Sequence, residues 1–99
     1  NWQEIIKDAG ICLCDPEKID FPLIVRNRRK GDKFQPLGMK GKKKIKDFFI
    51  DEKIKPSRRE KIPLVVDSSQ TIIWVGGYRL NESFKVTSNS KKLLKLILK

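Results

Sequence analysis

Histidine is absent from the chain, and cysteine occurs only twice, at Cys12 and Cys14. A tetrahedral zinc site needs four ligands drawn largely from these two residue types, so the metal reading is set aside. Without histidine the chain also lacks the commonest general base. The two cysteines stand at i and i+2, on one face of an extended strand, where a disulfide between them would be strained. They read as reduced core residues and point to a cytoplasmic setting. No uninterrupted apolar run exceeds four residues, of which 72–75 is an example, far short of the ~20 that a membrane span needs. A membrane partner is therefore not expected. Aromatic residues are few, and apart from Phe34 they are not interleaved with the basic residues as a base-stacking platform would require. Most of Trp2, Phe21, Phe34, Phe48, Phe49, Trp74, Tyr78 and Phe84 are expected in the core. There is no initiator methionine, and the start at Asn1-Trp2-Gln3-Glu4 leads to the expectation of a piece cut from a longer protein.

What the chain has in excess is positive charge, concentrated in one stretch. Residues 26–61 hold 15 Lys or Arg against 5 Asp or Glu, a balance of +10, while all 99 residues sum to +11. Such a concentration costs folding free energy by self-repulsion, and its commonest use is to meet a polyanion, most often nucleic acid. A chain of this length fits one domain and buries something over ~60% of its unfolded surface. With 38% hydrophobic and 35% charged residues it has a folded rather than a disordered composition.

Residues 11–14 and 21–25 are short apolar runs that read as strands, separated by the turn-prone Asp15-Pro16-Glu17-Lys18. Residues 26–41, with three glycines and one proline among polar side chains, read as a structured loop. In residues 42–51, Ile45, Phe48 and Phe49 follow the i, i+3, i+4 spacing of a buried helix face. A second helix of about one turn is expected at residues 57–62, opened by a capping box between Ser57 and Glu60 and ended before Pro63. Residues 64–66 and 72–75 read as a hairpin with a four-residue connection, 67–70. Residues 78–89 look irregular, and 93–98 favour a strand over a helix. The expected architecture is α+β: a small mixed β-sheet packed with one longer and one short helix, in one domain spanning 1–99 with a lead-in segment at 1–20.

Lys40, Lys42, Lys43, Lys44 and Lys46 crowd the expected helix start. The helix dipole makes this the unfavourable end for cations, and a phosphate held by backbone N–H groups and flanking lysines offsets that penalty. The simpler alternative is a solvated charge run. Arg26, Arg28 and Arg29 leave a strand end together, with Arg26 and Arg28 on one face, and guanidinium groups suit bidentate phosphate contacts. Arg58 and Arg59 divide between an outward and a packed role; Arg79, Glu82 and Lys85 form an internal ion pair or extend the basic face. Asp47 and Asp51 are spaced for pairing with Lys43 and its neighbours, and Asp32 suits a turn, so no catalytic constellation is present. The segment from Gly38 to Lys43 lacks the spacing and the hydroxyl of a Walker A loop.

The string at residues 26–51, RNRRKGDKFQPLGMKGKKKIKDFFID, closely resembles the C-terminal domain of bacterial tRNA(Ile)-lysidine synthetase, as do PLVVD at 63–67, IWVGGYR at 73–79 and FKVT at 84–87. The resemblance covers residues 21–99. It implies a ligase that uses ATP to join lysine to the wobble cytidine of an isoleucine tRNA, with this chain as its tRNA-recognition part. ATP, with magnesium, would belong to a catalytic domain of the same polypeptide, whose Ser-Gly-Gly-x-Asp-Ser string does not occur here. No catalytic, cofactor or metal residue is therefore assigned to this chain. The implied fold is related to a module of the phenylalanyl-tRNA synthetase β chain, and the implied partner is the tRNA(Ile) acceptor stem. By position, Arg26, Arg28, Lys40, Lys42, Lys43, Lys44 and Lys46 are the expected tRNA contacts, with Arg58, Arg59, Arg79 and Lys85 secondary. A-form RNA is read mainly through shape, phosphates and 2′-hydroxyls, which suits a rigid basic surface. The family often has a Gly in the hairpin where this chain has Ser69-Gln70. The rival reading is a protein-interaction module docking an acidic surface of another domain or subunit, and the oligomeric state stays open.

Overall fold

The computed structural model describes residues 10–98; Trp2 and the first half of the lead-in segment lie outside the described residues. Its strands are β1 (Ile11–Cys14), β2 (Ile24–Arg26), β3 (Lys33–Phe34), β4 (Lys43–Lys44), β5 (Leu64–Val66), β6 (Ile72–Val75), β7 (Arg79–Leu80) and β8 (Leu94–Ile97). Helices α1 (Ile45–Asp51) and α2 (Pro56–Arg59) lie between β4 and β5. The α+β class is as expected, but the sheet is not mixed. Among the described residues every strand pair is antiparallel, in three sheets ordered β1-β8, β2-β5-β6-β7 and β3-β4. No helix of the described residues is long and apolar enough to cross a membrane.

The two central strands of the four-stranded sheet are covered on both sides, which explains why β5 and β6 are apolar throughout instead of alternating, while the edge strand β2 stays mostly exposed. Leu64 and Val66 pack with Phe34, Ile45, Phe48 and Phe49, while Val65 turns the other way to Cys12, Cys14 and Trp74. Both cysteines are free and buried. Hydrogen bonding to Cys14 and burial hold the Cys12 thiol well above its ordinary value, so it stays protonated. Phe34 meets Phe48 edge to face at 5.2 Å, joining β3 to α1. The strand preferred at 93–98 is β8, which pairs with β1 across the length of the chain, from Ile11↔Ile97 to Cys14↔Leu94.

Several local expectations change. The stretches 26–41 and 78–89, expected to lack regular structure, supply the short strands β3 and β7, which pairing with β4 and β6 draws out of the loops. The helix starts at Ile45 and not at residue 42, because Lys43 and Lys44 are drawn into pairing with Phe34 and Lys33. No capping box forms in α2: Pro56, with its fixed φ, occupies the first helical turn, Lys55 is the N-cap without a side-chain bond, and Glu60 ends the turn. The hairpin connection takes in Thr71 as well, since the buried Asp67 accepts N–H bonds from both Ser69 and Thr71 at 3.0 and 3.1 Å. Gln70 there adopts φ 66°, the left-handed conformation that glycine adopts most readily. Finally, Phe21 is exposed rather than core.

Gly76, at the end of β6, has no room for a side chain. A Cβ there would lie 2.7 Å from Pro63 Cγ and 2.9 Å from the Pro63 carbonyl oxygen, which already accepts the Gly76 N–H at 2.9 Å. Gly76→Ala is expected to destabilise the fold by about 1–3 kcal/mol, read as a lower urea midpoint at unchanged slope. An unchanged midpoint would refute this close approach.

Candidate nucleic-acid interface

The basic stretch is shaped by one partly buried ion pair. Arg26, at the end of β2, gives Nη1 and Nη2 to the two carboxylate oxygens of Asp32 at 2.8 and 3.0 Å. Asp32 also accepts the Arg29 N–H at 2.7 Å, donates its own N–H to the Arg29 carbonyl and accepts the Ile45 N–H on its carbonyl. The turn between Arg26 and β3 is thus folded back onto the start of α1, with Gly31 at φ 88° allowing the reversal. Burial alone would raise the Asp32 carboxyl, but hydrogen bonds from Arg26 and Arg29 and their charges outweigh it and hold the group below its ordinary value. Arg26 therefore acts as a brace for the loop, with its side chain only 11% exposed.

This fold-back collects charges from three separate elements. Arg28, Arg29 and Lys30 from the loop, Lys44 and Lys46 from the start of α1, and Arg59 from α2 line one groove of about 630 Å³. Glu60 also lines it and accepts from Arg28 Nη2 at 3.3 Å, which sets that guanidinium's direction. Asn27 donates its side-chain amide to the Glu60 carbonyl, tying the loop to α2. Arg59 donates Nε to the Ile54 carbonyl at 3.0 Å, so its stem is anchored. Lys44 is shared with a second depression of about 460 Å³ lined by Lys33, Lys42, Lys43 and Met39. The two depressions form one basic face.

The first helical N–H is used by the Asp32 carbonyl, and α1 has only seven residues. The lysines thus act mostly from extended backbone ahead of the helix, and the expected clash with the helix dipole is confined to Lys44 and Lys46. Lys43 pairs with Asp51. Lys40 is exposed on the turn between β3 and β4. Of the secondary set, only Arg59 reaches the groove. Arg58 lines a separate depression with Lys53, Lys55 and Tyr78. Arg79 lies over the Phe48 ring at 5.7 Å and 3.9 Å from Glu52, a packing role. Lys85 pairs with Glu82, whose carboxyl is lowered by that bond and by the Gly38 N–H. Arg29, Lys30 and Lys33 also line the two depressions of the basic face, although of the three only Arg29 is grouped in the sequence with guanidinium groups suited to phosphate. Their signal was membership of the same charged run, but a strand-face rule does not see the turn that Asp32 imposes.

A family model described as the TilS substrate C-terminal domain matches residues 23–97. Among similar proteins, a tRNA(Ile)-lysidine synthase of Caldanaerobacter subterraneus subsp. tengcongensis is 51% identical over 88 residues, 89% of this chain and 19% of that protein. The enzyme of the same name from Clostridium tetani is 46% identical over 90 residues, 91% of this chain and 19% of that protein. The chain thus spans about a fifth of the length of these relatives. A crystal structure of a TilS C-terminal domain superposes with TM-score 0.75 at 30% identity, covering 93% of this chain and 73% of that one. An N-terminal fragment of the phenylalanyl-tRNA synthetase β-subunit from Pyrococcus horikoshii, 24% identical, shares the fold with TM-score 0.69 over 86% of this chain and 26% of that one. With three quarters of its length matched by the family model and relatives near half identical, the chain belongs to the TilS substrate C-terminal domain family.

Proposed function

We propose that this chain is the tRNA-docking domain of a cytoplasmic tRNA(Ile)-lysidine synthase, a ligase that joins lysine to the wobble cytidine of tRNA(Ile). It grips the acceptor stem, away from the reacting base. The observation that carries this reading is the convergence of six cations from a loop, the start of α1 and α2 on a single groove. Cations spread along an open groove suit a phosphate backbone, and no aromatic side chain lines the groove for stacking. Chemistry belongs to a catalytic domain of the same polypeptide, which would bind ATP with magnesium. Among the described residues no three His, Cys, Asp or Glu side chains gather in a metal-holding group.

Filter binding of the chain to whole tRNA(Ile), an acceptor-stem minihelix and an anticodon stem-loop tests the placement. The minihelix is expected to retain most of the affinity of the whole tRNA. Preference for the anticodon fragment would overturn acceptor-stem docking, and indifference to all three RNAs would favour an acidic protein partner.

A further inference from the structure

The turn between β3 and β4 presents two large apolar side chains, Leu37 and Met39, each 38% exposed. Its backbone is clamped. The Leu37 N–H donates to the Leu80 carbonyl, the Gly38 N–H to Glu82 Oε1 and the Met39 N–H to the Pro36 carbonyl, each at 2.9 Å. Gln35 Nε2 donates to the Met39 carbonyl at 2.7 Å. Gly38, at φ 87°, permits the bend, and Glu82 is itself held by Lys85. The two apolar side chains are therefore displayed on a fixed backbone, with little ordering left to lose on binding.

Lysines flank the Met39 side of this tip. Met39 lines the second depression together with Lys33, Lys42, Lys43 and Lys44. A matching ligand must bring closely spaced negative charge and an uncovered apolar face together. Within a duplex the base faces are stacked on one another, so only unpaired nucleotides or the terminal pair offer both. Phe34, the aromatic nearest in sequence, is buried and cannot supply the stacking surface; a thioether and a leucine side chain take its place.

We propose that Leu37 and Met39 form an apolar platform for unpaired nucleotides that continue from the docked duplex, with the flanking lysines holding their phosphates. This rests on the acceptor-stem reading above. An anionic membrane would satisfy the lysines, but two side chains on a clamped turn bury too little in an acyl layer to anchor the domain.

The test compares binding of a minihelix carrying a single-stranded 3′ extension with binding of its blunt counterpart, with 2-aminopurine in the extension as a local reporter. The chain is expected to prefer the extended form and to change the reporter's fluorescence. Met39 is already more than half covered, so Met39→Ala and Leu37→Ala should each remove about three- to fivefold of affinity for the extended form. Affinity for the blunt form and the salt slope should not move. Met39→Gln, similar in length but polar, should behave like the alanine variant, and thermal unfolding of each variant checks that the fold is intact. Equal binding of both RNAs by the unsubstituted chain overturns the platform and leaves duplex docking standing; binding of neither overturns the acceptor-stem reading itself. Met39-dependent binding to phosphatidylserine vesicles, without preference for the extension, overturns the proposal in favour of a membrane.

Discussion

Raising salt from about 50 to 200 mM is expected to lower the affinity of the chain for tRNA(Ile) by roughly a thousandfold. Each neutralised phosphate releases condensed counterions, so the logarithmic slope scales with the number of contacts, and the groove supplies about six. Lys44→Gln combined with Lys46→Gln removes two of them. The slope should then fall by about 2, and the same salt interval should cost only about a hundredfold. Both side chains are exposed, so unfolding should be unchanged. Arg79→Gln is the contrasting substitution: its guanidinium is engaged by Phe48 and Glu52, so the salt slope should stay where it is. A flat response in the unsubstituted chain would remove nucleic acid as the partner of this face, and an unchanged slope in the double variant would move the contacts elsewhere.

Arg26→Ala should be among the most damaging single substitutions in the basic stretch, although it removes a positive charge from a crowded region. Side-chain exposures of 11% and 13% leave the Arg26–Asp32 pair mostly out of water. Removing one partner strands a partly buried carboxylate, at a cost of about 3 kcal/mol. The pH dependence separates this from a simple packing loss. The Asp32 carboxyl is held below its ordinary 3.8 in the folded chain. Its contribution to stability is therefore present above that value and disappears as pH falls through the lower folded-state value. Arg26→Ala keeps only the share that Arg29 supplies, so its deficit against the unsubstituted chain should narrow as pH drops below about 4. Denaturant titrations at pH 7 and at successively lower pH measure both effects. A deficit that is small at neutral pH, or constant into acid, would contradict the bracing role.

Several parts of the fold were legible because they depend on local chemistry. The apolar spacing of Ile45, Phe48 and Phe49 marks the buried face of α1, and the uninterrupted runs at 64–66 and 72–75 mark strands covered on both faces. Other features depend on partners distant in sequence. Lys43 and Lys44 satisfy a helix pattern as well as residues 45–51 do, yet pairing with β3 makes them extended. Ser57 and Glu60 fit a capping box, but Pro56 starts the turn one residue earlier and Glu60 turns to Arg28. Gln70 carries no glycine signal, and the bonds of Asp67 to Ser69 and Thr71 on either side hold it left-handed.

Composition and periodicity determined the α+β class and the basic character of one stretch, because net charge and apolar spacing are additive properties of the chain. A basic surplus of +10 within 36 residues is present whatever the fold. Which of those cations act together was decided by tertiary structure alone. The Asp32 bonds to Arg26 and Arg29 reverse the loop, and the docking of α2 brings Arg59 beside Lys44 and Lys46. The same contacts keep Arg26 out of the groove, and packing on Phe48 holds Arg79 away from it. A guanidinium looks identical in sequence whether it meets solvent or a buried carboxylate, and the difference is made by desolvation and geometry, which exist only once the chain has folded.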